Sequence, residues 1–207
     1  MKPAAVLDIG SSKIVCLCGS FVNHDGITVH GVSVCPYNGY HNGTFSDHRS
    51  LHNAIVESVS KAEQEARMRI REAAISVPAP FTKIILTEAT LSIGSRSKRV
   101  MAEDIDDVIS LSLKKVKLSG YVLMHSTPVS FTVGGVVSST LPTGAKTEEL
   151  GALVSHMYVQ EEFVRAMEQA LSPLDIEISM SVSSQLCAAL AIIPEKERVR
   201  PAILIDV

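Results

Sequence analysis

A chain of 207 residues, 46% of them hydrophobic, has apolar content for one large domain or two small ones. A formal net charge of -3 and a pI near 6.2 offer no electrostatic footprint for nucleic acid, which leaves the expected partners. With 4% aromatics and no Trp, there is no stacking platform for bases or sugars.

Only a short apolar run separates Met1-Lys2-Pro3 from Asp8, so no secretory leader is read there. The longest apolar run, 186–193, is too short to cross a bilayer, and the expectation is a soluble, cytoplasmic chain. Residues 4–9, 13–21 and 27–35 predict three strands. The Gly10-Ser11-Ser12 turn joins the first two and Asn23-His24-Asp25-Gly26 the next two, giving an antiparallel meander. A loop rich in Gly, Asn and Pro follows over 36–47. Leu51, Ile55, Val59, Ala62 and Ala66 recur at helical spacing and predict a helix over 49–69. The next strand is 73–77.

Pro78 and Pro80 then mark a change of pattern. Residues 82–93 read as extended. Residues 101–117 read as an amphipathic helix, with Ile105, Val108, Ile109, Ser112 and Val116 on one side. Glu103 and Asp104 occupy its first turn, where the helix dipole favours them. The densest basic stretch, Lys114-Lys115-Val116-Lys117, falls at its exposed end. Residues 121–133 read as extended with an interruption at Thr127-Pro128, Gly134-Gly135 as a turn, and 149–159 as a strand. After them come a helix over 160–171, a strand over 174–180, a very apolar helix over 183–193 and a last strand over 201–207.

The outer parts therefore run strand-strand-strand-helix-strand and then helix-strand-helix. This α/β order is that of one half of the actin-like, ribonuclease-H-like fold. The block between them predicts a small inserted α+β domain of about 75 residues.

Cys16, Cys18, Cys35 and Cys187 have no CxxC pairing and read as buried free thiols, which favours a reducing compartment. His24, His30, His41, His48 and His52 fall in turns and a loop without repeated spacing and read as surface residues, while His125 and His156 read as structural or interface groups. Ser183-Ser184-Gln185 reads as the cap of the apolar helix. Met157, Tyr158, Phe163 and Met167 read as core.

Two distant segments nearly repeat each other: Pro3-Ala4-Ala5-Val6-Leu7-Asp8-Ile9 and Pro201-Ala202-Ile203-Leu204-Ile205-Asp206-Val207. Each is an apolar run with one carboxylate at its tip. After the first copy, Gly10 permits a tight turn and a close approach to a ligand. Successive amides there can face one oxyanion, Ser11 and Ser12 add hydroxyls, and Lys13 adds a cation for phosphate. Asp8 would act on magnesium, through its waters. The GxxxxGK[ST] pattern of a Walker loop is absent. The second copy, with Asp206, predicts a mirror-related partner turn whose continuation the sequence does not contain.

Several of these motifs together resemble the FtsA family of actin-like bacterial division proteins. The segment Val6-Leu7-Asp8-Ile9-Gly10-Ser11-Ser12-Lys13-Ile14 is similar to its first phosphate motif. Gly39, Gly43 and Asp47 before a helix containing Ala62-Glu63, His125 with Pro128 and Phe131, and Pro142 with Gly144 ahead of a strand reaching His156 are also similar. Glu195-Lys196-Glu197 before Ile203-Leu204-Ile205-Asp206 resembles the approach to the second phosphate motif. The resemblance implies subdomain 1A over 1–80 plus 160–200, an inserted 1C or SHS2-type domain over 81–159, and over 201–207 the first strand of a subdomain 2A that is otherwise missing. It implies ATP and magnesium at Asp8, Gly10, Ser11, Ser12, Lys13 and Asp206, with binding weak or absent in so short a chain. It further implies a scaffold and not an enzyme, with at most weak ATPase activity in a full-length protein. That scaffold would self-associate through the inserted domain. It would bind FtsZ through the missing half, and reach the cytoplasmic face of the inner membrane through a missing C-terminal helix. A small-molecule kinase of the same superfold and a pilus-assembly scaffold of PilM type are the alternatives.

Overall fold

The computed structural model describes residues 3–22, 26–94, 99–198 and 202–205. Its elements begin with β1 (Pro3–Ile9), β2 (Lys13–Val22), β3 (Gly26–Pro36), β4 (Tyr40–His41), β5 (Thr44–Phe45), α1 (His48–Ala66) and β6 (Glu72–Val77). They continue with β7 (Thr82–Ser92), α2 (Ala102–Leu113), β8 (Tyr121–Val133), β9 (Val136–Ser138) and β10 (Glu149–Gln160). The last are α3 (Glu161–Leu171), β11 (Glu177–Ser183) and α4 (Ser184–Ile192). Met1–Thr82 with Glu161–Val207 forms one unit, and Lys83–Gln160 forms a second.

In the first unit the sheet order is β11-β6-β1-β2-β3. The meander β1-β2-β3 is antiparallel, while β1 and β11 both run parallel to β6. The centre of β6 is buried in a run of small and branched apolar residues, as a parallel interior strand requires. Leu51, Ala54, Ile55, Ser58, Val59 and Ala62 form the buried stripe of α1, spaced three and four apart. That stripe lies on β2 and β3 at close range. A Cβ on Gly31 would stand 2.4 Å from the Ala62 carbonyl oxygen, so the missing side chain sets the distance between helix and strand. Ser33 Oγ meets the Ser58 carbonyl oxygen at 2.6 Å and the Ser58 hydroxyl at 2.8 Å, which satisfies two buried polar groups.

The second unit has sheet order β7-β10-β8-β9. Ile93 N–H donates to the Glu148 carbonyl at 2.7 Å, so the end of β7 meets the start of β10 and the two run antiparallel. The α2 side of this sheet is its core, built on Ala89, Val100, Ile105, Val108, Phe131, Leu150, Ala152 and Val154. Gly134 and Gly135 both have positive φ, 56° and 82°, which closes the β8–β9 hairpin with a primed turn.

Several boundaries differ from the sequence expectations. The first helix ends at Ala66 and not 69, because Arg67 turns left-handed at φ 52°. Glu63 then collects the Met68 amide on its carbonyl, and the Ile70 amide and Arg69 guanidinium on its carboxylate. The second helix stops at Leu113, where Val116 N–H bonds back to the Leu113 carbonyl in a tighter turn. β8 runs through Thr127-Pro128 without interruption. The register jumps from Ser130 to Pro128 there, so a bulge at Val129 accommodates the imide that lacks an N–H. β11 begins at Glu177 and not 174, after a 3-10 turn over Ser172–Leu174 and Asp175 at φ 59°. The 36–47 loop contains the β4–β5 hairpin, turned by Asn42 and Gly43 at φ 49° and 73°. Residues 202–205 form no strand, with Ile203 and Ile205 exposed. The expected turn at 23–25 with His24, and Pro201 and Asp206 of the second copy, lie outside the described residues.

Candidate functional site

β1, β6 and β11 run the same way, so their carboxyl ends share one edge of the first unit's sheet. Ligands of open α/β sheets sit outside such an edge. Asp8 is opposite Ser76 in the β1–β6 register, and Ser183 is opposite Val77 in the β6–β11 register. Ser76 is buried, and its hydroxyl serves two groups: it donates to Asp8 Oδ1 and accepts from Ile9 N–H at 3.0 Å. One carboxylate oxygen of the exposed Asp8 is thereby held in place. Ser76 was not foreseen as a site residue, although a hydroxyl interrupting the apolar run of β6 is a visible signal.

The turn after β1 is closed by Gly10 N–H donating to the Lys13 carbonyl at 3.0 Å. The Gly10 amide is therefore spent inside the turn, which narrows the expected row of anion-facing amides to those after it. The glycine is required there by proximity: a Cβ would stand 2.9 Å from the Lys13 carbonyl oxygen. Ser11, Ser12 and Lys13 are exposed beyond it. Behind the turn, the Tyr37 hydroxyl donates to the Gly10 carbonyl at 2.7 Å, and Tyr37 N–H donates to the Ser12 carbonyl at 3.0 Å. Burial pushes the Tyr37 phenol well above its ordinary range, so it stays a donor. Gly39 is at φ 68° with its Cβ position only 1.8 Å from the Ser11 carbonyl oxygen, so no other residue fits. Tyr37 carries no sequence signal of this contact.

Of the six expected site residues, Asp8, Gly10, Ser11, Ser12 and Lys13 lie together at this sheet edge, and Asp206 is not described. The donor set suits a phosphate: exposed hydroxyls and an ammonium on a tight turn, beside a carboxylate able to hold a hydrated magnesium ion. Ser183 caps α4 by accepting from Leu186 N–H at 3.2 Å, and the Ser184 hydroxyl donates to the Val77 carbonyl at 3.2 Å. The capping expectation for this segment holds.

The other titratable groups sort by burial. His30 lies in β3, where its Nε2 is 2.8 Å from Ser20 Oγ, and His41 lies in β4. His48 and His52 lie on α1, so these four stand on regular elements and not in turns. His156 is fully buried in β10, its Nε2 2.9 Å from Thr87 Oγ1 and 2.8 Å from Ser112 Oγ, its Nδ1 2.7 Å from Ser126 Oγ. Thr87 Oγ1 also stands 3.1 Å from the Ser112 carbonyl oxygen, an acceptor for its hydroxyl. Burial lowers the pKa of this imidazole. Cys16, Cys18 and Cys35 are buried, and burial pushes the Cys16 thiol up to about 12. Cys187 is exposed, contrary to expectation, because α4 buries none of its residues. A broad open depression of about 1000 Å³ lies in the second unit, on the sheet face away from α2, with Glu88, Thr90, Ser130, Thr132 and Leu153 on its floor. It includes none of the turn residues.

No protein-family model matches this chain. It is 23% identical over 202 residues to the cell division protein FtsA of Buchnera aphidicola from Schizaphis graminum, covering 97% of this chain and 48% of the relative. It is 21% identical to FtsA of Pseudomonas aeruginosa over 97% of this chain and 48% of that protein. It is 23% identical to FtsA of Streptococcus pneumoniae over 97% and 44%. The chain thus spans about half the length of the curated relatives it matches, and the resemblance to FtsA runs through nearly all of it. Among solved structures, it is similar to a chain of the PilM-PilN type IV pilus biogenesis complex, with a TM-score of 0.55 and 16% identity over 90% of this chain and 48% of the other. That likeness speaks to the fold alone, a mixed α/β fold.

Proposed function

From the similarity to the actin-like cell division protein FtsA across 97% of the chain, we propose that this chain is part of a division scaffold that holds ATP with magnesium at the β1–β2 turn, weakly when this chain acts alone. Ser11, Ser12 and Lys13 would hold phosphate oxygens, and Asp8 a magnesium ion through its waters. Bound magnesium would neutralise phosphate charge; the chain's own residues supply donors and a fixed carboxylate. The role is structural, with nucleotide held and not turned over. The scaffold would act with the FtsZ ring at the cytoplasmic face of the inner membrane and self-associate through the 83–160 unit. No helix among the described residues is long and apolar enough to cross a membrane, so membrane association is proposed from the resemblance.

The observation that carries this reading is the grouping of the Ser76-held Asp8 carboxylate with the exposed Gly10-Ser11-Ser12-Lys13 turn at one sheet edge. Calorimetric titration with MgATP tests the nucleotide: Asp8→Asn and Lys13→Ala should each weaken binding about tenfold, the loss of one charge-assisted contact. Binding that neither variant alters would sink the site. A fluorescent fusion of the full-length gene product should gather at midcell only while FtsZ is present. Polar foci independent of FtsZ would favour the pilus-scaffold reading instead.

A further inference from the structure

We propose that residues 37–39 act as a positioning strap that holds the carbonyls of Gly10, Ser11 and Ser12 on one side of the turn, so that the Ser11 and Ser12 amides are presented on the other side to phosphate oxygens. The proposal rests on the phosphate-turn reading above and adds the device that pre-shapes it. Three consecutive carbonyls face the same short segment. The Gly10 carbonyl takes the Tyr37 hydroxyl at 2.7 Å, and the Ser12 carbonyl takes the Tyr37 amide at 3.0 Å. Between them, the Ser11 carbonyl oxygen lies against Gly39, 1.8 Å from where a Cβ would stand.

A trans peptide carries its C=O and N–H on opposite sides of one plane, and no described peptide is cis. The Ser11 N–H shares its plane with the Gly10 carbonyl, so it points away from Tyr37. The Ser12 N–H shares its plane with the Ser11 carbonyl, so it points away from Gly39. Neither amide has an acceptor among the described residues, and both serines are exposed. Two adjacent outward amides with nearby hydroxyls make an anion nest. The backbone bond from Tyr37 merely prolongs the β2–β3 ladder. The hydroxyl bond to Gly10 does not, because Gly10 lies beyond that ladder on the far limb of the turn.

The strap is itself anchored. Asn38 N–H donates to Ser50 Oγ on α1 at 3.0 Å, and Ser46 N–H donates to the Gly39 carbonyl at 3.0 Å. Further along, the Phe45 ring stacks on Phe81 at 4.8 Å and the Tyr40 ring meets Phe81 edge-on at 5.0 Å. A rigid support of this kind lets the amides meet a ligand without first being ordered.

Nitrogen-15 relaxation on the 207-residue chain decides the matter without ligand. Ser11 and Ser12 should show order parameters near the rigid value of about 0.85, falling toward about 0.6 in Tyr37→Phe. Gly39→Ala should loosen the same two amides from the other side. With MgATP added, their shifts should move, and Tyr37→Phe should weaken the apparent affinity about tenfold while melting as the wild type does. A side chain important only for stability would lower the melting point and leave the Ser11 and Ser12 order intact. Mobile Ser11 and Ser12 amides in the wild type, or unchanged order in both variants, would overturn the strap. If MgATP moves no amide, the nucleotide reading fails, and the ligand-free order parameters still decide whether the strap exists.

Discussion

Ser76 and His156 illustrate two uses of a buried polar side chain. Ser76 spends its hydroxyl on a neighbouring strand, fixing Asp8 and satisfying the Ile9 amide at once. His156 is enclosed by the hydroxyls of Thr87, Ser112 and Ser126, a set that accommodates the neutral ring. Its pKa is lowered by burial, below the ordinary value near 6.5. The neutral form is therefore the one that folding favours. Its contribution to stability is complete above the unfolded value and is lost as pH falls through 6.5 toward the lower folded value. Urea midpoints of the chain should fall between pH 7.5 and pH 5, and His156→Gln should remove part of that slope; an identical slope in the variant would refute the assignment. Of the site residues, Asp8 and Lys13 are legible because a charge at the end of an apolar run stands out. Tyr37 is not, since nothing local says which carbonyl a loop phenol will reach.

At the scale of elements, the close approach of α1 to β3 in the first unit depends on a residue with no side chain. At Gly31, a methyl group would meet Ala62 O at 2.4 Å, Ala66 N at 2.8 Å and the Ala66 Cβ at 3.0 Å. Two of these atoms are helix backbone, which cannot rotate aside. Gly31→Ala should therefore push α1 off β3 and destabilise the protein by about 1–3 kcal/mol, the range of an overpacked core, measured by denaturant titration. A neutral effect would mean that the helix shifts freely. Element types were mostly readable from periods of two and 3.6 residues, and element ends were not. The Val129 bulge answers to the facing strand β10 and the Asp175 turn pairs with Arg71 ahead of β6, while the Arg67 cap is closed locally by Glu63. The Asn42-Gly43 hairpin is different: its signal is in the sequence, but in so short a ribbon it is easily read as loop.

At the scale of the whole molecule, the second unit is a continuous insertion whose two ends belong to adjacent strands, β7 and β10. It has its own core around Phe131, Leu150 and Val154. A fragment of residues 83–160 should fold by itself, with dispersed amide resonances and a cooperative melt. A collapsed, non-cooperative fragment would show that its sheet needs the first unit. The first unit is drawn from both ends of the chain, so no contiguous fragment contains it.

The amino-acid sequence by itself determined the β1-β2-β3 meander, the α1 stripe and the presence of a polar turn between Asp8 and Lys13, because each rests on patterns a few residues long. Only tertiary structure decided that Ser76, 68 positions from Asp8, would share its register, and that Tyr37, 27 positions from Gly10, would close behind the turn. Pairings across such distances follow from the order in which strands enter a sheet, and that order is settled by the burial of whole faces.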